Sequence, residues 1–187
     1  MGKGGESVAR FWYFVLYSFG GYLLEKGFAA AVRSAHRVRK CFLLLPLCPV
    51  YGLAMLAVLA LPEKLTDGFF PLALYGGIAA TAVEYAVHFL YERLLGVMFW
   101  DYSSTKMDLN RRICMPFSIA WGLLSALAVR YLQPWLALAV TLIPPWLSFV
   151  MVLLVIADSF FSARILWWKR DIDLLGWGNL LRALQGE

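Results

Sequence analysis

Long apolar stretches alternate with short polar ones along this chain, and five of the apolar stretches are long enough to cross a membrane. A helix rises about 1.5 Å per residue, so about 20 residues are needed to cross about 30 Å of hydrocarbon. We expect the spans at about 11–32, 42–62, 69–95, 113–132 and 134–161. The pattern therefore predicts an all-α integral membrane protein with five transmembrane helices.

The composition supports this class of protein. The 187 residues are 61% hydrophobic and 16% aromatic, which is more apolar than a soluble domain of this size. Residues 1–163 are predicted to form one transmembrane domain, because no linker or repeat divides them. In residues 164–187 apolar side chains recur at helical spacing beside Lys169 and Arg170. This predicts an amphipathic helix that lies in the cytoplasmic headgroup layer.

The basic residues predict the orientation of the protein in the plasma membrane. With five spans, Lys3, Arg10, Lys64 and Arg130 fall on one side, and the other 13 of the 17 Lys and Arg residues fall on the opposite side. The side richer in Lys and Arg faces the cytoplasm, so the N-terminus is expected outside and the C-terminus inside. The net charge of +5 then reflects topology and lipid headgroups, which are expected partners, and gives no case for nucleic-acid binding.

Prolines set three local expectations. The polar sequence at 130–134 predicts a tight turn that joins the fourth and fifth spans as an antiparallel hairpin. Pro144 and Pro145 are expected to kink the fifth span near mid-depth. Pro46 and Pro49 predict irregular backbone where the second span begins, and such backbone must be buried in protein or line a wet cavity.

Two glutamates, Glu25 and Glu84, lie inside predicted spans. A carboxylate in hydrocarbon costs at least about 2.5 kcal/mol, so each is a candidate functional residue. Glu25 lies about 21 Å along its helix from Phe11, and Glu84 lies about 22 Å from Phe69 along a helix that runs the same way. Their similar depth predicts a shared polar cavity in the cytoplasmic half. The alternative is that neighbouring groups hold each carboxylate and that both only specify packing.

Glu84, His88 and Glu92 are spaced four residues apart, which places them along one face of a helix. Such a ladder could bind a divalent metal or relay protons, and the alternative is that His88 and Glu92 are solvated at the membrane interface. One helix cannot complete a metal site, and the chain has no Cys-x-x-Cys pair. We therefore predict no metal and no cofactor.

A third group of polar residues follows the third span. Asp101, Asn110 and Arg112 are expected at the cytoplasmic boundary, and Asp158 near the inner end of the fifth span. Arg112 could pair with Asp101 or Asp158, or it could bind a phosphate or carboxylate bidentately. The alternative is a structural network of ion pairs at the interface.

Several of these residues belong to short motifs that occur in a fixed order. They are Tyr-Ser-Phe-Gly-Gly-Tyr-Leu-Leu-Glu (17–25), Cys-Pro-Val-Tyr-Gly (48–52), Glu-Tyr (84–85), Trp-Asp-Tyr-Ser (100–103), Asn-Arg-Arg-Ile-Cys (110–114), Trp-Gly (121–122) and Asp-Ser (158–159). With these motifs the chain resembles the CmpB-like family of bacterial multi-pass membrane proteins, labelled ABC-transporter type IV, over roughly residues 11–160. The resemblance implies a membrane location and a permease role. It marks six residues as motif positions: Glu25, Glu84, Asp101, Asn110, Arg112 and Asp158.

Three functions remain open at this stage. The first is a transport component whose cytoplasm-facing polar cavity binds its substrate through those six residues. Since the chain has no phosphate-binding loop, this function would require a separate ATPase subunit or a homo-oligomer. The second is an intramembrane enzyme that acts on a lipid or another phosphate-bearing amphiphile at the inner leaflet, with Glu25, Glu84, Asp101 and His88 as catalytic candidates. The third is a scaffold whose polar groups only set helix register.

Overall fold

The computed structural model describes residues 3–31, 41–105 and 107–175. Its helices are α1 (Lys3–Ala31), α2 (Pro49–Leu59), α3 (Glu63–Thr66), α4 (Phe69–Leu90), α5 (Met115–Leu127), α6 (Gln133–Thr141) and α7 (Pro145–Lys169). Two π-helical segments, Tyr91–Leu95 and Ala128–Leu132, extend α4 and join α5 to α6, and a 3₁₀ turn covers Ile172–Leu175. Strands β1 (Asp108–Leu109) and β2 (Ile113–Cys114) pair as a short antiparallel hairpin.

Within the described residues, three helical stretches are long and apolar enough to cross a membrane. They are Phe69–Leu95, Met115–Thr141 and Pro145–Lys169. The mostly helical fold and these three stretches agree with the predicted class of protein. The five spans and the N-out, C-in orientation remain predictions.

The second predicted span, 42–62, is helical over only 11 residues, Pro49–Leu59. A helix of this length covers about 16 Å, roughly half of the hydrocarbon thickness. Pro49 begins the helix, at a position where its missing N–H costs no hydrogen bond. The prediction was therefore wrong in length, because residues 41–48 are apolar without being helical.

Three backbone amides of the irregular segment 41–48 donate to groups in other parts of the protein. The amide of Leu44 donates to Oδ1 of Asp158 at 3.1 Å, and the amide of Leu45 donates to Oδ2 at 2.9 Å. The amide of Cys48 donates to a backbone carbonyl of α1 at 2.8 Å. These contacts confirm that irregular backbone precedes α2 and is held by protein groups.

The predicted turn at 130–134 and the predicted kink at Pro144 and Pro145 are both wrong. The helix is continuous from Met115 to Thr141, and the break between the two helices lies at residues 142–144 instead. Pro145 starts α7, where its ring suits the first helical turn. The π-helical segment Ala128–Leu132 comes just before Pro134, and such local adjustments allow a proline to continue a transmembrane helix.

The C-terminal amphipathic helix was predicted to begin at residue 164, but α7 continues to Lys169. Arg170 then ends the helix with a left-handed backbone conformation at φ 50°. The short 3₁₀ turn Ile172–Leu175 follows. Residues 176–187, over which the amphipathic prediction continues, lie outside the described residues.

Helix packing brings the two glutamate-bearing helices to opposite sides of α2. Helix α2 packs against α1 and against α4, and α4 packs in turn against α5. The α4–α5 crossing is close because a Cβ on Gly77 would lie 3.0 Å from the Cα of Gly122. Small residues allow such close contact between helices in a membrane. Glu25 on α1 and Glu84 on α4 are thus carried by the two helices that pack against α2.

Candidate functional site

Glu84 is fully buried, and each of its carboxylate oxygens accepts a hydrogen bond from an aromatic side chain. The hydroxyl of Tyr102 donates to Oε1 at 3.0 Å, and the indole Nε1 of Trp121 donates to Oε2 at 2.8 Å. Trp121 belongs to α5, and Tyr102 belongs to the connecting loop, which we define as residues 96–105 and 107–114. Hydrogen bonds to a carboxylate are stronger than those between neutral groups, so these donors stabilise Glu84 at a depth where a carboxylate is costly.

Glu25 is also buried and is held in a similar way. The hydroxyl of Tyr51 on α2 donates to Oε1 of Glu25 at 2.7 Å. The Tyr51 ring packs against the Trp121 ring, with 4.8 Å between the ring centroids. Since Trp121 also binds Glu84, the two carboxylates are joined through one aromatic pair. We call Glu25, Tyr51, Glu84, Tyr102 and Trp121 the glutamate cluster.

A glycine on α1 makes room for the aromatic pair. A Cβ built on Gly21 would overlap the ring of Tyr51, whereas a Cβ on its neighbour Gly20 would meet no atom within 4 Å. Only a residue without a side chain therefore allows α1 to pack so closely against Tyr51. The contact fixes the position of the ring whose hydroxyl binds Glu25.

The predicted ladder of Glu84, His88 and Glu92 is divided in the structure. Glu84 binds the two aromatic donors of the glutamate cluster, while Nε2 of buried His88 lies 3.0 Å from the carbonyl oxygen of Trp100. Nδ1 of His88 lies 4.0 Å from Oε2 of Glu92. Within the described ranges, no three His, Cys, Asp or Glu side chains are grouped so that they could hold a metal ion.

Arg112 is paired with Glu92, and not with Asp101 or Asp158 as two of the sequence-based alternatives had it. Its Nη2 donates to Oε2 of Glu92 at 2.7 Å, and its Nη1 donates to the hydroxyl oxygen of Tyr85 at 3.0 Å. The hydrogen bond with the Glu92 carboxylate raises the pKa of Arg112. The guanidinium group is thus engaged by α4 and by the π-helical segment that extends it.

Asn110 belongs to the group of residues around Arg112, whereas Asp101 does not. The side-chain amide of Asn110 donates to the hydroxyl oxygen of Tyr85 at 3.0 Å. The exposed Asp101 accepts a hydrogen bond from the backbone N–H of Ser103 at 2.7 Å, which lowers the pKa of its carboxyl. Asp101 is therefore the acceptor of a local turn.

Asp158 accepts hydrogen bonds from the irregular segment 41–48. It belongs neither to the glutamate cluster nor to the group around Arg112. Besides the amides of Leu44 and Leu45, it accepts a hydrogen bond from the Ser162 hydroxyl at 3.2 Å. Of the six residues predicted to bind substrate, the structure thus brings Glu25 near Glu84 and Asn110 near Arg112. It brings neither Asp101 nor Asp158 to those pairs.

Sequence reasoning missed the aromatic residues that organise the site. These residues lie inside or beside the motifs quoted above, and they are Tyr51, Tyr85, Tyr102 and Trp121. Each has an apolar ring and one polar atom, so each can lie in a membrane core and still form a hydrogen bond. The available signal was a polar aromatic residue directly beside an acid, as in Glu84-Tyr85. It was absent for Tyr51 and Trp121, whose motifs contain no acid.

A groove of about 760 Å³ runs between α4 and α5. Its walls are almost entirely apolar, and the residues that form them include Leu74, Ile78, Ile119 and Leu123. Tyr85 lines it as well, whereas Glu25 and Glu84 do not. The groove is therefore distinct from the predicted polar cavity.

Comparison with known protein families gives a match over most of the chain. Residues 12–163 match the model of the CmpB family, whose description is "Putative ABC-transporter type IV". No curated protein and no solved structure shows significant similarity to the chain. The matched range contains the whole glutamate cluster and the residues around Arg112.

Proposed function

Because this chain belongs to the ABC-transporter type IV family, we propose that it is a permease component in which the glutamate cluster binds the transported species. The observation that carries this proposal is the junction of two buried carboxylates, Glu25 and Glu84, through Tyr51 and Trp121. Buried acids in membrane helices commonly mark ion and proton pathways. A carboxylate pair of this kind suits protons or a small cation.

Access to Glu84 would be controlled by the connecting loop. Tyr102 reaches Glu84 from this loop, and the indole Nε1 of Trp100 holds the same loop by donating to the carbonyl oxygen of Arg112 at 2.9 Å. The distribution of Lys and Arg favours a cytoplasmic position for the loop. Displacement of Tyr102 would then open Glu84 toward the cytoplasm and leave the Trp121 hydrogen bond in place.

Energy for transport would come from another polypeptide. The sequence contains no Gly-x-x-x-x-Gly-Lys-Ser/Thr motif, which cradles nucleotide phosphates in many ATPases. Membership of an ABC-type family supports a separate ATPase subunit as partner, and a second copy of this chain could complete the pathway.

The alternative enzyme function stays a prediction from the sequence. No contact among the described residues favours it over transport, because both oxygens of Glu84 are engaged by hydrogen-bond donors and Asp101 caps a local turn. An acid or base catalyst would need a polar atom directed at a substrate-sized space.

The test combines partner identification with flux. Mass spectrometry of the complex extracted from native membranes should show a stoichiometric ATPase subunit. After reconstitution of that complex into vesicles, ATP-driven flux of protons and small cations should be lost in Glu84→Gln. The same variant should insert and assemble normally. Glu63→Gln, in an exposed position on α3, is the matched control and should retain flux. Absence of an ATPase partner, or full flux in Glu84→Gln, would refute the proposal.

A further inference from the structure

The α4–α5 groove has the size and composition of a ligand site. Its volume of about 760 Å³ falls within the range of roughly 300–1,000 Å³ seen for small-molecule pockets. Gly77 and Gly122 line it where the two helices cross, and Ile78 and Ile119 on its walls are each 58% exposed. The groove is thus an apolar channel that is accessible from the side of the helix pair.

One end of the groove carries a hydrogen-bond donor. Tyr85 lines this end, and its hydroxyl oxygen accepts hydrogen bonds from Asn110 and from Arg112, each at 3.0 Å. A phenol oxygen can accept two hydrogen bonds and donate one. Both acceptor positions are filled, so the remaining role of the Tyr85 hydroxyl is to donate its proton. No acceptor for that proton lies within hydrogen-bonding distance in the part of the chain that the structure describes.

The hairpin turn next to this end of the groove carries positive charge. The β1–β2 hairpin, which contributes Leu109 and Ile113 to the groove lining, turns through Asn110 and Arg111 with φ angles of 53° and 62°. Arg111 is exposed and forms no ion pair within 4.0 Å in the described residues, although Asp101 and Glu92 are its more distant acidic neighbours. The charge of Arg112, by contrast, is balanced by Glu92 at 2.7 Å. An anionic group with oxygen acceptors would complement both Arg111 and the Tyr85 hydroxyl.

We propose that the α4–α5 groove binds an anionic phospholipid, with one acyl chain along the groove and the headgroup phosphate beside Tyr85 and Arg111. The apolar walls suit a hydrocarbon chain, and the polar end supplies one donor and one positive charge. Transmembrane basic pockets of this kind hold anionic headgroups. A second protein helix would fill the apolar part, but its backbone carbonyls are used internally and would leave the Tyr85 donor and the Arg111 charge unmatched.

The test uses the full chain in vesicles that contain equal amounts of phosphatidylglycerol and phosphatidylcholine. After gentle detergent extraction, native mass spectrometry counts the retained lipids. We expect about one phosphatidylglycerol per chain, in preference to phosphatidylcholine. Ile119→Trp should fill the groove and remove this lipid. Ile156→Trp is the matched control, because Ile156 is similarly exposed at 61% but lies on α7 outside the groove, and it should retain the lipid.

Two further variants test the headgroup contacts. Tyr85→Phe removes the donor and Arg111→Gln removes the charge, and each should lower phosphatidylglycerol retention about tenfold. Equal retention of both lipids, or retention that is unchanged in Ile119→Trp, would overturn the proposal. Loss of a dimer in Ile119→Trp with no change in bound lipid would also overturn it, because the groove would then be a protein interface. None of these outcomes depends on flux through the glutamate cluster, so the two proposals fail separately.

Discussion

The hydroxyl of Tyr102 lies 3.0 Å from Oε1 of Glu84, although Tyr102 belongs to the connecting loop and Glu84 to the interior of α4. These positions are 18 residues apart, and the segment between them includes the end of α4 and the start of the loop, which turns back toward α4. The position of the loop and the environment of the carboxylate are therefore linked through one hydrogen bond.

Tyr102→Phe should destabilise the protein by about 1–3 kcal/mol, because it removes a hydrogen bond to a buried carboxylate and keeps the ring. The measurement is thermal unfolding in detergent. Tyr131→Phe is the control, since Tyr131 is 63% exposed, and it should change Tm little. Equal Tm values for Tyr102→Phe and the wild type would show that the bond contributes nothing to stability.

Gly21→Ala and Gly20→Ala should have opposite effects although the residues are neighbours. A methyl group on Gly21 would overlap the Tyr51 ring and should cost about 1–3 kcal/mol. A methyl group on Gly20 meets open space and should stabilise α1 by up to about 1 kcal/mol, because alanine favours helix more than glycine does. Unfolding of both variants under the same conditions is the measurement. A stable Gly21→Ala protein would contradict the close packing of α1 against Tyr51.

Asp158→Asn should loosen the irregular segment 41–48. Two backbone N–H groups now donate to the two carboxylate oxygens of Asp158. An asparagine would present its NH₂ group to one of them, so one hydrogen bond is lost and two donors face each other. We expect a loss of about 1–3 kcal/mol and faster labelling of half-buried Cys41 by a maleimide. Asp67→Asn, at an exposed position, is the control and should leave both quantities unchanged. Unaltered Cys41 labelling in Asp158→Asn would count against this role.

Arg112→Lys should destabilise the protein by about 1–2 kcal/mol, whereas Arg111→Lys should have no measurable effect. The planar guanidinium of Arg112 donates to Glu92 and Tyr85 at once, and a lysine cannot reproduce that fork. Arg111 is exposed, and its positive charge is kept by lysine. Thermal unfolding of the two variants decides the matter, and identical Tm values would refute the structural importance of the fork.

The class of this protein, a helical membrane protein, could be predicted from the hydrophobicity of its sequence. The positions of the helix ends could not. The polar residues around Gln133 predict a turn, yet Gln133 is accommodated inside a continuous helix because its side-chain oxygen accepts a hydrogen bond from Tyr17 at 2.8 Å. Pro144 and Pro145 are as compatible with a helix start as with a kink. The sequence alone does not show that Gln133 has a hydrogen-bond donor within reach, or that the two prolines lie at a helix start.

The candidate site could be predicted only in part, and the reason is related. The cost of a buried carboxylate identified Glu25 and Glu84 without any knowledge of their neighbours. Helix rotation and the path of the connecting loop decide what each carboxylate contacts, and neither is encoded in local periodicity. This is why the sequence offered Asp101 and Asp158 among the alternatives for Arg112 and did not indicate Glu92, with which it is found.

The contact of Asp158 with Leu44 and Leu45 has a consequence for biosynthesis. The two amides leave the ribosome more than a hundred residues before their acceptor does, because 114 positions separate Leu44 from Asp158. A nascent chain that ends before α7 lacks the carboxylate that both amides use in the finished protein. The segment that precedes α2 can therefore reach its final form only after α7 has been synthesised, although it lies near the start of the chain.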